Sequence, residues 1–204
     1  MTKVVWSARL RAGIVLGLAL VLTSCGKLTT EGTGSSYLMI ESFDGASGAD
    51  PDEFGSPIHS DVLTVVDDVA TFFNDLGRVR LGLGMKDPGG AASPTTPTSA
   101  NFITINRYRV RYVRADGRNT PGVDVPYPFD GGMSVTVGDE DVEAAFTIVR
   151  HSAKLEAPLA TLANSYLMLD TIAEVTFYGH DQTGREASVT GRILISFGNF
   201  GDPD

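Results

Sequence analysis

Residues 173–197 read AEVTFYGHDQTGREASVTGRILISF, and their alternation of apolar and polar side chains decides the fold. Every second residue of the first run is apolar, namely Ala173, Val175 and Phe177. The second run has the same period at Ala187, Val189, Ile193, Ile195 and Phe197. Because side chains of a strand point alternately to opposite faces, each run is a strand with one buried face. The polar residues 180–184, ending in glycine, predict the turn of an antiparallel hairpin.

Further strand patterns lie upstream of this hairpin. Short apolar or alternating runs occupy residues 37–40, 78–86, 133–137 and 142–148. The 23 glycines and 10 prolines are typical of turns between short strands. The chain is therefore predicted to be all-β, an antiparallel sandwich of about seven to nine strands.

Residues 102–115 form the longest strand pattern, and their alternation changes phase. The apolar side chains are first at odd positions, Ile103 and Ile105, and then at even positions, Tyr108, Val110 and Tyr112. A strand cannot exchange its faces without an extra residue, so the pattern predicts a β-bulge near Asn106.

Two segments between strands contain helical periodicity. Residues 62–76 fit a helical face, but they are rich in β-branched and aromatic residues. We favour two short strands broken at Asp67 and Asp68, and the helical alternative stays open. In residues 153–170, the spacing of Leu159, Leu162 and Tyr166 indicates a short helical crossover.

The first 24 residues have the composition of a secretory signal peptide. Residues 1–11 carry three basic side chains and no acidic one, and residues 12–22 (AGIVLGLALVL) are apolar throughout. Eleven helical residues rise roughly 16 Å, about half of a bilayer core, so the run is short for a membrane span.

Leu22-Thr23-Ser24-Cys25 closes this run and resembles the lipobox of bacterial lipoproteins. The resemblance implies cleavage after Ser24, lipid on the thiol of Cys25, and attachment to a membrane through acyl chains such as palmitate. Cys25 is the only cysteine of the protein. We therefore divide the chain into a signal peptide (1–24), a lipidated polar tether (25–36) and a β-sandwich domain (37–204).

The residue after the cysteine carries information on the destination. Lipoproteins retained in the inner membrane of enterobacteria tend to have aspartate there, whereas this chain has Gly26. The resemblance therefore favours the outer membrane if the source is Gram-negative.

The closing hairpin also resembles the last two strands of immunoglobulin-like and fibronectin type III domains. Residues 173–197 carry this resemblance. The domain lacks the Cys-Trp-Cys signature, because the only tryptophan of the chain, Trp6, lies in the predicted signal peptide. The chain after Cys25 is similar to uncharacterised bacterial lipoproteins of this architecture. The resemblance implies an immunoglobulin-like sandwich and names no activity.

The charge of the chain limits its partners. The net charge is −9, and removal of the three basic residues of the signal takes it to −12. So acidic a domain argues against nucleic acid as a partner and against broad adhesion to anionic lipid headgroups. The lipid on Cys25 is then the expected membrane contact.

Metal and cofactor sites have little support in the sequence. Asp50, Asp52 and Glu53 are weak candidates for calcium, because three carboxylates lie in four positions but lack the spacing of an EF-hand. A solvated acidic loop is the commoner explanation. The three histidines show no zinc-binding spacing, and no phosphate-binding loop occurs, so we expect no metal and no cofactor.

The strongest polar pattern is an arginine ladder, which we define as Arg107, Arg109 and Arg111 on one strand face. One hypothesis pairs it with the acidic segment 28–77, which contains ten acids and no lysine or arginine. The other hypothesis is an anion-binding face for phosphate or sugar acids, because arginine forks bind such groups with two hydrogen bonds.

The expected role is a non-catalytic structural or binding module at the cell envelope, with an envelope protein or polysaccharide as its partner. Recognition of carbohydrate is an alternative, with Tyr127 and Phe129 as candidate exposed aromatics unless they pack on the sandwich edge. A hydrolase is the less favoured alternative, because G-x-S-x-G is absent. It would need a pocket that gathers His151 or His180 with two carboxylates.

Overall fold

The computed structural model describes residues 34–201, and these residues form an all-β fold, as predicted. The predicted signal peptide, Cys25 and the tether up to residue 33 lie outside the described residues. The strands are β1 (Ser36–Ala46), β2 (Ile58–Asp61), β3 (Thr64–Val66), β4 (Val69–Thr71), β5 (Asp75–Met85), β6 (Gly89–Gly90), β7 (Ser93–Pro94), β8 (Ile103–Val113), β9 (Phe129–Val137), β10 (Val142–Val149), β11 (Leu169–Asp181) and β12 (Glu186–Gly198). The helical elements are α1 (His151–Lys154) and two 3₁₀ turns, Ser99–Asn101 and Leu159–Thr161.

Two main sheets contain most of these strands. A three-stranded sheet has the order β1-β5-β10, and a five-stranded sheet has the order β2-β12-β11-β8-β9. All pairs in the two sheets are antiparallel except β2, which runs parallel to β12. The pairs β3-β4 and β6-β7 form two separate short ribbons.

The two sheets pack face to face around an aromatic centre, in the manner of a β-sandwich. Phe146 of the three-stranded sheet meets Tyr108 and Phe177 of the five-stranded sheet, with ring centroids 4.9 and 5.2 Å apart. Phe177 is fully buried, and Tyr108 and Phe146 are nearly so. Burying these large rings from both sheets supplies much of the apolar area that stabilises the domain.

The antiparallel hairpin predicted over residues 173–197 is confirmed. Strands β11 and β12 pair in unbroken register from Leu169 opposite Phe197 to His180 opposite Glu186. The Asp181 carboxylate closes the turn by accepting hydrogen bonds from the backbone N–H groups of Thr183 and Arg185. Gly184 follows with φ of +85°, a conformation that glycine adopts without steric cost.

The bulge at Asn106 is also confirmed. The register of β8 slips between Ile105 and Arg107 against β9, and the same residue is skipped against β11. A Cβ on Gly179, which faces the slip, would lie only 2.9 Å from the Cα of Ile105. The bulge therefore places Ile103 and Tyr108 on the same buried face, and a glycine accommodates it.

The ambiguous segment 62–76 contains two short strands, β3 and β4, with the break at Asp67 and Asp68 as predicted. Both aspartates have positive φ, 50° and 62°. This is the backbone of a tight hairpin turn, and aspartate is one of the few non-glycine residues that tolerate it.

Two predicted connecting segments differ in part from the structure. The Gly, Ser, Asp and Pro content of residues 44–60 predicts a loop, but β1 continues to Ala46 and β2 begins at Ile58. The predicted helical crossover contains the 3₁₀ turn Leu159–Thr161, but helical structure ends before Tyr166, and Tyr166 is fully exposed. Within residues 34–201, no helix is long and apolar enough to cross a membrane.

Candidate functional site

The arginine ladder lies on the outer face of the five-stranded sheet. Because Tyr108, Val110 and Tyr112 are buried, the alternating Arg107, Arg109 and Arg111 of β8 must point outward. Strand pairing then sets their neighbours: Asp130 of β9 lies opposite Arg109, and Glu174 of β11 lies between Arg111 and Arg192 of β12.

Asp130 holds two of the arginines. Its Oδ1 accepts a hydrogen bond from Arg107 Nη1 at 3.0 Å, and its Oδ2 accepts one from Arg109 Nη1 at 3.1 Å. The guanidinium of Arg107 also lies over the ring of Tyr178, 4.2 Å from its centroid. One carboxylate therefore orients two cations, and the trio has a net charge of about +1.

Glu174 forms a second trio of the same kind. Arg111 donates from Nε and Nη2 to Oε2, and Arg192 donates from Nε and Nη2 to Oε1, at 3.0 and 2.9 Å. The hydrogen bonds from Arg111, and secondarily those from Arg192, hold the pKa of Glu174 below its ordinary value. Its side chain is 15% exposed, so the carboxylate is largely shielded from solvent between the two arginines.

A shallow depression of about 450 Å³ opens between the two trios. Its lining includes Arg109, Arg111 and Arg192 together with Thr176 and Thr190, whose hydroxyls are 2.9 Å apart. The depression thus combines guanidinium donors with hydroxyls that can donate or accept. In a chain of net charge −9, the two trios together have four cations and two anions.

The first hypothesis about the ladder named the wrong acids. The carboxylates that pair with it come from β9 and β11 and not from the acidic segment 28–77. Among the described residues, that segment forms ion pairs with other cations, Asp44 with Arg78 and Asp75 with Lys154. The second hypothesis, an anion-binding face, stays a prediction.

Sequence reasoning missed a buried polar network, which lies inside the domain. Lys154 of α1 donates from Nζ to Oδ1 of Asp75 and to the backbone carbonyl of Asp61, each at 2.7 Å. Ser60 Oγ donates to the other oxygen of Asp75 at 2.5 Å, and the N–H of Gly48 donates to Oδ1 at 2.8 Å. Burial raises the pKa of Asp75, and Lys154 opposes that rise.

The remaining candidates lie apart from one another. Asp50 and Glu53 line a second depression of about 600 Å³ beside His59, and Asp52 is exposed in the same loop. Across residues 34–201, no group of three His, Cys, Asp or Glu side chains is placed to hold a metal ion. The ring of His151 contacts Asn74 at 3.1 Å and not a carboxylate.

The aromatic pair suggested for carbohydrate is divided by the fold. Tyr127 is 51% exposed, but Phe129 begins β9 and is only 8% exposed. Phe129 packs edge-on against Tyr108 and lies under the guanidinium of Arg150. Phe129 is thus a packing residue, and its proposed role as an exposed aromatic was wrong.

Comparison with known proteins adds no relative. No protein-family model, no curated protein and no solved structure matches this chain at a significant level.

Proposed function

We propose that the protein is a lipid-anchored component of a bacterial cell envelope, which presents a non-catalytic β-sandwich as a structural or binding module. The observation that carries this proposal is Leu22-Thr23-Ser24-Cys25, a lipobox-like sequence at the end of an apolar run with the only cysteine. Strand β1 begins at Ser36, so a short polar tether separates the lipid from the domain. One acyl chain binds a membrane marginally and two or more hold it stably.

We further infer that the sandwich is of the immunoglobulin-like type. Its strand order supports this: β1-β5-β10 corresponds to strands A, B and E, and β12-β11-β8-β9 corresponds to G, F, C and C′. The short parallel strand β2 beside β12 completes the correspondence as a second segment of strand A. Tyr108 and Tyr112 of β8 occupy the core, where immunoglobulin domains have a strand C tryptophan.

A binding or structural role suits the polar groups of the described residues better than catalysis. Ser60, Asp75 and Lys154 are closed to solvent and satisfy one another, so a substrate does not reach them. The arginines of the sheet face, in contrast, are accessible and well suited to recognition.

The anchor is tested by replacing Cys25 with Ala and following cell fractionation, incorporation of labelled palmitate and mass. The wild-type chain should enter the membrane fraction with the label, and Cys25→Ala should lose the label and keep its signal peptide. Ser24→Ala is the matched control, because it keeps a small residue before the cysteine. Membrane attachment of Cys25→Ala at the mass of the wild type would disprove the proposal.

The destination is tested separately in a Gram-negative host. The wild-type protein should sediment with outer membranes in a density gradient, and Gly26→Asp should shift it to inner membranes. An identical distribution of the two proteins would leave the anchor intact and reject the outer-membrane assignment.

A further inference from the structure

We propose that the outer face of the five-stranded sheet binds an acidic polysaccharide, a polymer of sugar units that carry carboxylates. The binding surface consists of Arg107, Arg109, Arg111 and Arg192 with the hydroxyls of Thr176 and Thr190. This inference deepens the proposed function, because it rests on the role of the sandwich as an envelope binding module and names the class of its partner.

The balance of charge in the two arginine trios favours an anionic ligand. Each trio, Arg107-Asp130-Arg109 and Arg111-Glu174-Arg192, has two guanidinium groups around one carboxylate. Each therefore keeps about one positive charge after internal pairing, in a chain whose net charge is −9. A surface of this sign attracts a polyanion that the rest of the domain repels.

The geometry of the remaining arginine donors suits a carboxylate. In its contacts within residues 34–201, the guanidinium of Arg109 uses Nη1 alone, toward Asp130. Its Nε and Nη2 edge is the fork that binds a carboxylate with two parallel hydrogen bonds. Asp130 and Glu174 hold the guanidinium groups in place, so less side-chain entropy is lost when a ligand binds.

The spacing of the arginines suits an extended ligand that lies along β8. Arg107, Arg109 and Arg111 are alternate residues of one strand, which places them roughly 6.6 Å apart. Strand pairing puts Thr176 and Thr190 in line with Arg109, and Arg192 in line with Arg111. A ligand that lies along β8 thus meets a cation at each alternate residue, with sugar-binding hydroxyls beside it.

The shape of the surface suits a polymer better than a small molecule. The depression is open and shallow, whereas small molecules bind in clefts that bury roughly 70–90% of their surface. An open row of cations instead suits a chain that makes several weak contacts, whose effects multiply. The hydroxyls of Thr176 and Thr190 favour sugar carboxylates over bare phosphate chains, because they can also bond to sugar hydroxyls.

The test uses the full-length protein in detergent micelles and measures binding by calorimetry. The probe is polygalacturonate, with dextran as a neutral polymer and polyphosphate as a second polyanion. We expect saturable binding to polygalacturonate that weakens as salt rises, and no binding to dextran. Arg109→Glu and Arg111→Glu should each lower the affinity about tenfold or more, since each removes and reverses a charged contact.

The matched control is Arg80→Glu on β5 of the other sheet, where Arg80 pairs with Asp141 at 3.2 Å. It changes the net charge equally and should leave the affinity within about twofold. Arg109→Lys keeps the charge and removes the fork, so it should weaken binding several-fold even if the glutamate variants fold poorly. Circular dichroism establishes the fold of each variant.

The proposal is overturned by no saturable binding to polygalacturonate, by equal binding to dextran, or by an Arg80→Glu effect as large as that of Arg109→Glu. Tighter binding to polyphosphate would replace the sugar acid with phosphate and also contradict it. Cys25→Ala should bind polygalacturonate as the wild type does. If the anchor test fails while polygalacturonate still binds, only the lipid anchor is rejected. If the anchor test succeeds while polygalacturonate does not bind, only the polysaccharide proposal is rejected.

Discussion

The domain contains two kinds of ion pair, and they differ most in their access to water. On the outer sheet face, Arg111 and Arg192 clasp Glu174 with side chains that are 62% and 71% exposed. Inside the domain, Lys154 and Asp75 pair at 2.7 Å with side chains that are 1% and 0% exposed. The same chemistry therefore operates in water in one region and away from water in the other.

This difference separates what each region contributes. Exposed pairs are hydrated and screened, and their net effect on stability is small. A buried pair loses its hydration, so removing one partner leaves a charge that nothing compensates. The buried pair also joins β5, α1 and the β1–β2 loop, because Asp75 accepts from Gly48 as well as from Lys154.

The largest expected effect is that of Lys154→Ala. It leaves the Asp75 carboxylate buried and the carbonyl of Asp61 without its donor, so the free energy of unfolding should fall by about 3–5 kcal/mol. Urea denaturation of the purified full-length chain measures this loss. A decrease below about 1 kcal/mol would show that the pair is as weak as a surface ion pair.

The double variant Lys154→Met with Asp75→Asn removes both charges and keeps similar volumes. The asparagine carbonyl can still accept from Gly48, so the loss should be about 1–2 kcal/mol, well below that of Lys154→Ala alone. Together with the single variants Lys154→Met and Asp75→Asn, it completes a double-mutant cycle that measures the coupling energy between the two side chains. Additive effects of the single variants would contradict direct pairing.

The sequence predicted the regions where apolar patterning determines position. The hairpin of β11 and β12, the bulge at Asn106 and the break at Asp67-Asp68 all follow from the period of buried side chains or from turn chemistry. The acids that pair with the ladder were out of reach, because Asp130 and Glu174 become its neighbours only through strand register between distant segments.

The buried network was unpredictable for a different reason. Lysine is among the residues least often buried, so Lys154 carries no sign of its position in the sequence alone. Its burial depends on Asp75, which is 79 residues away along the chain. The two depressions likewise arise from loops and strands that are distant in sequence.

On the outer sheet face, where the ion pairs are exposed, Arg111→Ala and Arg192→Ala should each lower the free energy of unfolding by no more than about 1 kcal/mol. The reason is that each lost pair is replaced by water, and the other arginine still holds Glu174. Denaturation at low and at 1 M salt checks this, and the small loss should shrink further at high salt. A loss of about 3 kcal/mol in either variant would place the face among the main stabilising features of the fold.

The smallest expected effect is the pH dependence that Glu174 contributes. Its folded-state pKa lies below the ordinary value of 4.5, so the ionised form is favoured by folding. The stability that it adds is present above pH 4.5 and is lost as the pH falls through the lowered folded pKa. The wild type should therefore exceed Glu174→Gln in unfolding free energy at pH 7, and the difference should diminish in acid. Urea denaturation from pH 7 to pH 3 measures it, and a repeat in 1 M salt should flatten the trend. A difference that grows toward low pH would mean that burial, and not Arg111 and Arg192, controls this carboxylate.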